Sequence, residues 1–334
     1  MKLLTLVVAA YNMEDYLSQC LDSVTRSDVP DTLEVIVVND GSKDRTSEIA
    51  HQYEKQFGHI IRVIDKENGH YGSCINKALE VATGKYFRPL DADDWMNTDA
   101  LISLLSLLEH NDNDLIMTGY STYLPHDVIN HITFPDFVKI GEPYSLDSLD
   151  FEKEGLDCFM KMHVMTYKTS VLRSIPLQLN TGISYTDSEY CMFPLDRSDS
   201  VVFYNLDLYQ YNLSREGQTM QRDIVVKSIK PFYTLSMRMM DFFIDDYKRN
   251  NSVVRSNQRC IIRQVVYYFF RSSLIFVKDS KDNRKMLSDI MAKLSENQEL
   301  KDDILSLKYR KIPFINIWYK YNIRLLSYFP DFLL

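Results

Sequence analysis

Four short apolar runs, each cut off by a polar loop and followed by residues at helical spacing, limit this chain to a narrow set of folds. They are Leu3 to Ala10, Leu33 to Val38, Ile60 to Asp65 and Lys85 to Leu90. The first two are apolar nearly throughout rather than alternating, as in strands of a parallel sheet buried on both faces. Between them, Leu17, Cys20, Leu21 and Val24 recur at i, i+3, i+4 and i+7, and Ile49, Ala50, Tyr53 and Phe57 share a second helical face. Helices over Tyr71 to Ala82 and Ala100 to His110, and a strand over Leu115 to Tyr123, continue the alternation. This spacing predicts an α/β fold with a doubly wound, mostly parallel sheet. Such sheets bind ligands beyond the carboxyl ends of their strands, so the polar loops after each run are the places to look for chemistry.

The middle of the chain is less regular. The spacing predicts a helix over Asp147 to Met160, a strand over 163–168 and a short helix around Ser170 to Arg173. A loop over Gly182 to Asp187 then opens into a helix over Ser188 to Leu195, and two short strands follow, Val201 to Tyr204 and Leu208 to Tyr211. Beyond residue 222 only helical patterns remain, over Val225 to Lys248, Val253 to Val277 and Asn283 to Lys308. The expected organisation is therefore two domains, 1–222 and an all-helical module over 223–334. Within the last stretch, 312–334, Phe314, Ile317, Trp318, Tyr321, Leu325, Tyr328 and Phe329 share a face opposite Asn316, Lys320, Arg324 and Ser327. Aromatics opposite basic residues suit a helix lying in a membrane interface; a terminal helix packed on its predecessors has the same pattern.

Composition excludes several classes. A formal charge of −8 argues against a general nucleic-acid binder. Five cysteines, odd in number and without CxxC pairing, fit reduced thiols better than a disulfide framework or zinc site. The apolar N-terminus runs straight into a polar helix without a cleavage site, so it reads as a buried first strand, not a leader. No stretch reaches the ~18 uncharged apolar residues of a membrane span. These features imply a cytoplasmic protein, with peripheral contact at the inner membrane face if the tail binds lipid.

The most informative single stretch is Tyr86 to Met96, YFRPLDADDWM. It begins as a strand and ends in three carboxylates, Asp91, Asp93 and Asp94. In an extended segment, residues two apart point the same way, so Asp91 and Asp93 would converge and repel unless a cation sits between them. A divalent cation carrying a phosphate ligand would do so, since hard cations prefer oxygen. The competing reading is an acidic loop ahead of the next helix, with Thr98 or Asp99 as its N-cap.

Three stretches in this order and spacing resemble the inverting glycosyltransferases of family two, whose nucleotide-sugar-binding fold is the Rossmann-like GT-A fold. They are VVAAYNMEDYLSQCLDSV (7–24), EVIVVNDGSKDRT (34–46) and NGHYGSCINKALEVATGKYFRPLDADDW (68–95). SYTDSEYCMFPL (184–195) stands where the family has its acidic catalytic motif, and YQYNLSREGQTM (209–220) resembles its closing segment. The resemblance implies that Ala9, Ala10 and Tyr11 flank a nucleotide base, with Asp40 accepting from a uracil ring N–H. Asn39 stands where the family often has a first acid. Asn68 and Gly69 would approach base and ribose, and Lys77 could neutralise a phosphate. Asp91-Ala92-Asp93 matches the DXD motif, with Asp93 on Mn²⁺ or Mg²⁺, Asp91 toward ribose or a metal-bound water, and Asp94 holding the loop.

The resemblance further implies transfer of a sugar from a nucleotide-sugar donor, a UDP-sugar by preference, to a hydroxyl of a glycan or lipid-linked saccharide in capsule, exopolysaccharide or wall-polymer synthesis. A carboxylate base is then required. Asp187 matches that position, Glu189 is the second candidate, and Thr186 replaces the acid common before it. A helix N-cap is the bland role for Asp187. Arg215 could close over the diphosphate, or be a surface loop arginine. His163 could face the acceptor, although a lone strand histidine is commonly structural. A nucleotidyltransferase would need a glycine-rich basic loop after the first strand, where this chain reads AAYNMEDY. A non-catalytic nucleotide-binding, membrane-associated subunit would not need Asp40, Asp91, Asp93 and Asp187 together.

Overall fold

The structure, a computed structural model, describes residues 1–126, 128–175, 178–214, 224, 227–246, 251–277 and 279–322. It comprises two compact units, Met1–Arg215 and Glu216–Leu334.

In the first unit the four apolar runs become β1 (Leu4–Ala10), β2 (Leu33–Asn39), β3 (Ile61–Asp65) and β4 (Tyr86–Asp91). The helices between and after them are α1 (Leu17–Asp22), α2 (Thr46–Phe57), α3 (His70–Val81) and α4 (Thr98–Leu108). Further strands are β5 (Trp95–Met96), β6 (Leu115–Leu124), β7 (Val128–Ile132), β8 (Pro143–Ser145), β9 (Met165–Lys168) and β10 (Ser200–Asn212). They form one sheet of order β3-β2-β1-β4-β9-β6-β10-β5, with β7 on β6 and β8 on β10. Leu4, Leu6, Val7 and Val8 of β1 and Val35 to Val38 of β2 are fully buried. At ~1.5–3 kcal/mol per fully buried aliphatic side chain, these two strands anchor the core.

Pairings among β1, β2, β3 and β4 are parallel, and so is β6 with β10. The chain winds outward from β1 through β2 to β3, then crosses back to place β4 on the other side of β1. The switch point of this doubly wound sheet therefore lies between β1 and β4, where ligands bind in such folds. The register aligns the strand ends there: Ala10 pairs with Asn39, Asn39 with Asp65, and Ala9 with Asp91. One antiparallel insertion, β9, separates β4 from β6.

Several local expectations change. Asp147 to Met160 is not an α-helix; it holds turns and one 3-10 turn at Asp157–Phe159. Gly155 within it has φ 68°, a left-handed conformation that a continuous helix excludes. The two short strands after residue 200 are one strand, β10, whose pairing to β6 shifts register between Tyr204 and Tyr209. The helix opening near Ser188 is α6 (Asp187–Met192), preceded in the chain by α5 (Thr169–Ser174) and followed by a 3-10 turn at Phe193–Arg197. Pro194 in that turn cannot supply the amide a longer α-helix needs.

The second unit is helical: α7 (Ile229–Asp241), α8 (Ser252–Arg271), α9 (Lys281–Leu294), α10 (Gln298–Ser306) and α11 (Phe314–Tyr321). Both α7 and α8 run into π-helical turns, at Phe242–Asp246 and Ser272–Phe276. The predicted Asn283 to Lys308 helix is two, because Asn297 accepts from the Leu300 amide and starts α10 afresh. Of the proposed amphipathic tail, α11 ends at Tyr321 and is capped by Asn322, whose φ of 53° is left-handed; residues 323–334 lie outside the described residues. Phe314 and Ile315 are buried, and the Phe314 and Trp318 rings lie 6.0 and 5.9 Å from those of Tyr267 and Phe270 on α8. This apolar side is packed within its own unit. Among the described residues, no helix is long and apolar enough to cross a membrane.

Candidate active site

The loops after β1 and β2 are braced against each other. The Asn12 amide donates to Ser42 Oγ, the Lys43 amide to Asn12 Oδ1, and the Met13 amide to Thr46 Oγ1. Asp40, at the end of β2, is 3% exposed. Its Oδ1 accepts from Lys66 Nζ at 2.6 Å and from the Gly69 amide at 2.9 Å, while its carbonyl accepts from Asn68 Nδ2 at 3.0 Å. The turn that brings these groups together uses Gly41 at φ 72°, where an added Cβ would lie 3.0 Å from the Asn68 amide nitrogen. Asp40, Asn68 and Gly69 thus form one cluster at the ends of β2 and β3. Asn39 has a local reason not to be an acid: its Nδ2 donates to Asp65 Oδ1 at 2.7 Å, where a carboxylate would meet a carboxylate.

Lys66 belongs to this cluster and was not singled out from the sequence; it follows β3 directly, so the strand-end rule could have found it. Lys77 lies further along α3, half exposed and paired with Glu80 at 2.7 Å. Ala9 and Ala10 end β1 next to Asn39 and Asp91, and Tyr11 beyond them is exposed. Arg215 lies outside the described residues.

The acids of the β4 end separate in role. Asp94 is buried: Tyr209 Oη donates to its Oδ2 at 2.6 Å and the Asn212 amide to its Oδ1 at 2.7 Å. Burial, then the neighbouring charges of Asp91 and Asp93, push its carboxyl well above the usual range. Asp94 therefore ties the acidic loop to the end of β10. The Asp91 amide donates to Tyr209 Oη, and Asn212 Nδ2 donates to the Asp93 carbonyl. Asp91, Asp94 and His163 present possible ligand atoms within 4.8 Å of one another.

His163 sits ahead of β9 in an aromatic nest, its ring 4.3 Å from Tyr211, 4.8 Å from Tyr209 and 5.8 Å from Tyr120. Its Nδ1 is buried with no hydrogen-bond partner among the described residues. Burial, then Lys161 and Arg88, depress its pKa to about 3, so the imidazole is neutral and able to accept. Beneath it lies Arg88, fully buried and without a carboxylate partner among the described residues. The guanidinium donates to Thr118 Oγ1, Thr166 Oγ1 and the carbonyls of His163 and Val164, which holds the segment carrying His163. Burial lowers its pKa to about 10, so it stays charged at neutral pH.

Asp187 is the first residue of α6, and its carboxylate accepts from the amides of Asp187 and Ser188. Burial nevertheless raises its pKa. Glu189 is fully buried, with Oε2 accepting from the Asn180 amide and Oε1 from Asn180 Nδ2 at 2.7 and 2.8 Å. Two tyrosines feel the charges of both Asp187 and the β4 acids. The Tyr211 hydroxyl is held protonated by burial and by Asp91, Asp94, Asp93 and Asp187 in that order, and the Tyr71 hydroxyl by burial, Asp91 and Asp187. Side chains 96 positions apart in the sequence thus act on the same two phenols. Two carboxylate sets and a neutral imidazole can hold a cation at one end and accept a proton at the other.

Residues 5–170 match the family model described as Glycosyl transferase family 2. The chain is 32% identical over 217 residues to Glycosyltransferase GlyA of Streptococcus pneumoniae serotype 4, covering 64% of this chain and 31% of that one. It is also 32% identical over 117 residues to the poly(ribitol-phosphate) beta-glucosyltransferase of Bacillus spizizenii, covering 34% of this chain and 18% of that one. The chain spans about a third of the length of the first curated relatives it matches. In three dimensions it resembles S. aureus TarS 1–349, solved in complex with UDP-GlcNAc, with a TM-score of 0.65 at 18% identity over 92% of this chain and 84% of that one. The fold is that of the GT-A glycosyltransferases.

Proposed function

Residues 5–170 belong to glycosyl transferase family 2, and from that premise we propose that this protein is an inverting glycosyltransferase that moves a sugar from UDP to a hydroxyl of a polymeric or lipid-linked glycan. The observation that carries the reading is that Asp187 and the β4 acids act electrostatically on the same phenols, Asp91 and Asp187 on Tyr71, and Asp91, Asp94, Asp93 and Asp187 on Tyr211. The nucleoside end of the donor lies along Ala9, Ala10, Tyr11 and Asp40, the last held through Oδ1 by Lys66 and Gly69. Asn68 and Gly69 bring backbone close to the ribose.

In transfer, Asp187 takes the proton of the acceptor hydroxyl as its oxygen attacks the anomeric carbon. The carbon–oxygen bond to the diphosphate breaks on the opposite face, and UDP leaves with that electron pair. Asp187 suits the task because burial raises its proton affinity toward that of a working base. Asp91, Asp94 and His163, whose candidate ligand atoms lie within 4.8 Å of one another, with Asp93 next to them in the chain, would hold Mn²⁺ or Mg²⁺, which when bound would supply Lewis-acid stabilisation of the diphosphate charge. The mixed oxygen and imidazole set favours Mn²⁺. A polymeric acceptor is supported by the likeness to an enzyme named for poly(ribitol-phosphate).

UDP release in a screen of UDP-sugars with Mn²⁺ and lipid-linked or polymeric acceptors tests the reading. Asp187→Asn should lower turnover by about 10²-fold or more and leave UDP affinity unchanged. Asp93→Asn should instead abolish the Mn²⁺ dependence of UDP binding. No release with any UDP-sugar refutes the donor assignment, and full activity in Asp187→Asn moves the base elsewhere.

A further inference from the structure

A set of hydrogen bonds fastens the segment leading into Asp187. No described residue from 178 to 185 is buried, so little hydrophobic burial fixes it. Asn76 on α3 supplies a reciprocal clamp: its Nδ2 donates to the Leu179 carbonyl at 2.8 Å and its Oδ1 accepts from the Leu179 amide at 2.9 Å. From the other side, Glu189 receives both the amide and the side-chain Nδ2 of Asn180. The Gly182 amide donates to the Gly69 carbonyl at 2.8 Å. Gly72 makes the approach possible, because an added Cβ would lie 2.0 Å from the Asn180 carbonyl oxygen. A glycine in the first turns of a helix weakens it relative to alanine, and here that cost has a local reason.

We propose that Gly72, Asn76 and Glu189 are positioning residues that fasten segment 179–186 to the start of α3, so that the nucleotide-facing Asn68–Gly69 and the base Asp187 move as one body. The proposal rests on the reading of Asp187 and of the donor end given above. It assigns Glu189 the role of holding the loop, not of accepting a proton. Occupancy at Gly69 would be felt at Asp187 through the Gly69–Gly182 bond and the Asn180–Glu189 clamp.

Hydrogen exchange read by mass spectrometry on the full chain, with UDP and Mn²⁺ as the probe, tests it. Without ligand, Gly72→Ala and Asn76→Ala should each speed exchange over 179–188 by about tenfold or more, while β1 and β2 keep their rates. With UDP, the unaltered protein should slow exchange at 68–72 and 179–188 together, and Asn76→Ala at 68–72 alone. Glu189→Gln should match Asn76→Ala in exchange, and in UDP release its acid limb should stay at the wild-type pH, which a proton acceptor at 189 forbids. Unchanged exchange over 179–188 in ligand-free Asn76→Ala overturns the proposal. So does a rise that includes β1 and β2 in both α3 variants, which marks general destabilisation. If UDP protects no segment of the unaltered protein, the donor reading fails and the ligand-free comparison decides the positioning role.

Discussion

At the scale of single residues, the site depends on where protons and orphan groups sit. A base must be ionised to work, and burial raises the pKa of Asp187 above the ordinary 3.8. The acid limb of the pH profile should therefore lie above the normal aspartate range, with activity lost as pH falls through the folded-state value. Removing that limb by Asp187→Asn, in a log rate against pH plot, checks the assignment. Thr186 makes a second test. It is fully buried, and its Oγ1 has no hydrogen-bond partner among the described residues. Thr186→Val keeps the shape and removes a desolvated hydroxyl, so it should be neutral or stabilising by up to about 1 kcal/mol. A fall in the unfolding midpoint would mean that the hydroxyl has a partner in solution.

At the scale of elements, the parallel strands deliver the site and the helices brace it. His51 on α2 bridges Asp65 at the end of β3 and Glu54 within its own helix, at 2.7 and 2.9 Å. Its pKa is raised, first by the Asp65 hydrogen bond and then by Glu54. Protonated His51 therefore stabilises the fold fully below its ordinary 6.5, and that contribution fades as pH rises through the higher folded-state value. With His51 and Asp65 both about half exposed, solvent screening keeps it small. Thermal midpoints across this window should drop more for the wild type than for His51→Gln; parallel curves would mean that the bridge contributes nothing. The last described helix, α11, gives an element-scale prediction too. Because Phe314 and Ile315 are buried and Trp318 meets Phe270, deleting 312–334 should destabilise the helical unit. Loss of liposome binding from a truncated chain of unchanged stability would favour the membrane role instead.

For the whole molecule, charge is divided unevenly. Residues 1–215 carry 17 Lys and Arg against 33 Asp and Glu, while 216–334 carry 21 against 13. The modest total of −8 hides an acidic unit that would need a cation to hold a diphosphate, joined to a basic one. Each unit has its own buried core, so a chain ending at residue 222 should fold and bind UDP with Mn²⁺. Binding by calorimetry with unchanged affinity is the expected result; an unfolded product would show that the helical unit is needed for the first to fold.

The strand ends were legible in the sequence because parallel strands buried on both faces leave long apolar runs, and the acids and glycines that follow stand out against them. Hence Asp40, Asn68, Gly69, Asp91 and Asp93 could be named, along with the doubly wound sheet and the helical unit after it. The contacts that complete the site were not legible, although His163 itself was singled out. Tyr209, Tyr211 and Asn212 arrive on a distant strand, His163 ahead of an antiparallel insertion, and Tyr71 on a helix whose facing is set by packing. Local spacing records only what a residue's own element requires. Whether Asp94 is tied to Tyr209, Arg88 charged beneath His163, or Glu189 engaged with Asn180 depends on contacts across 9 to 115 positions, and only the folded chain brings those together.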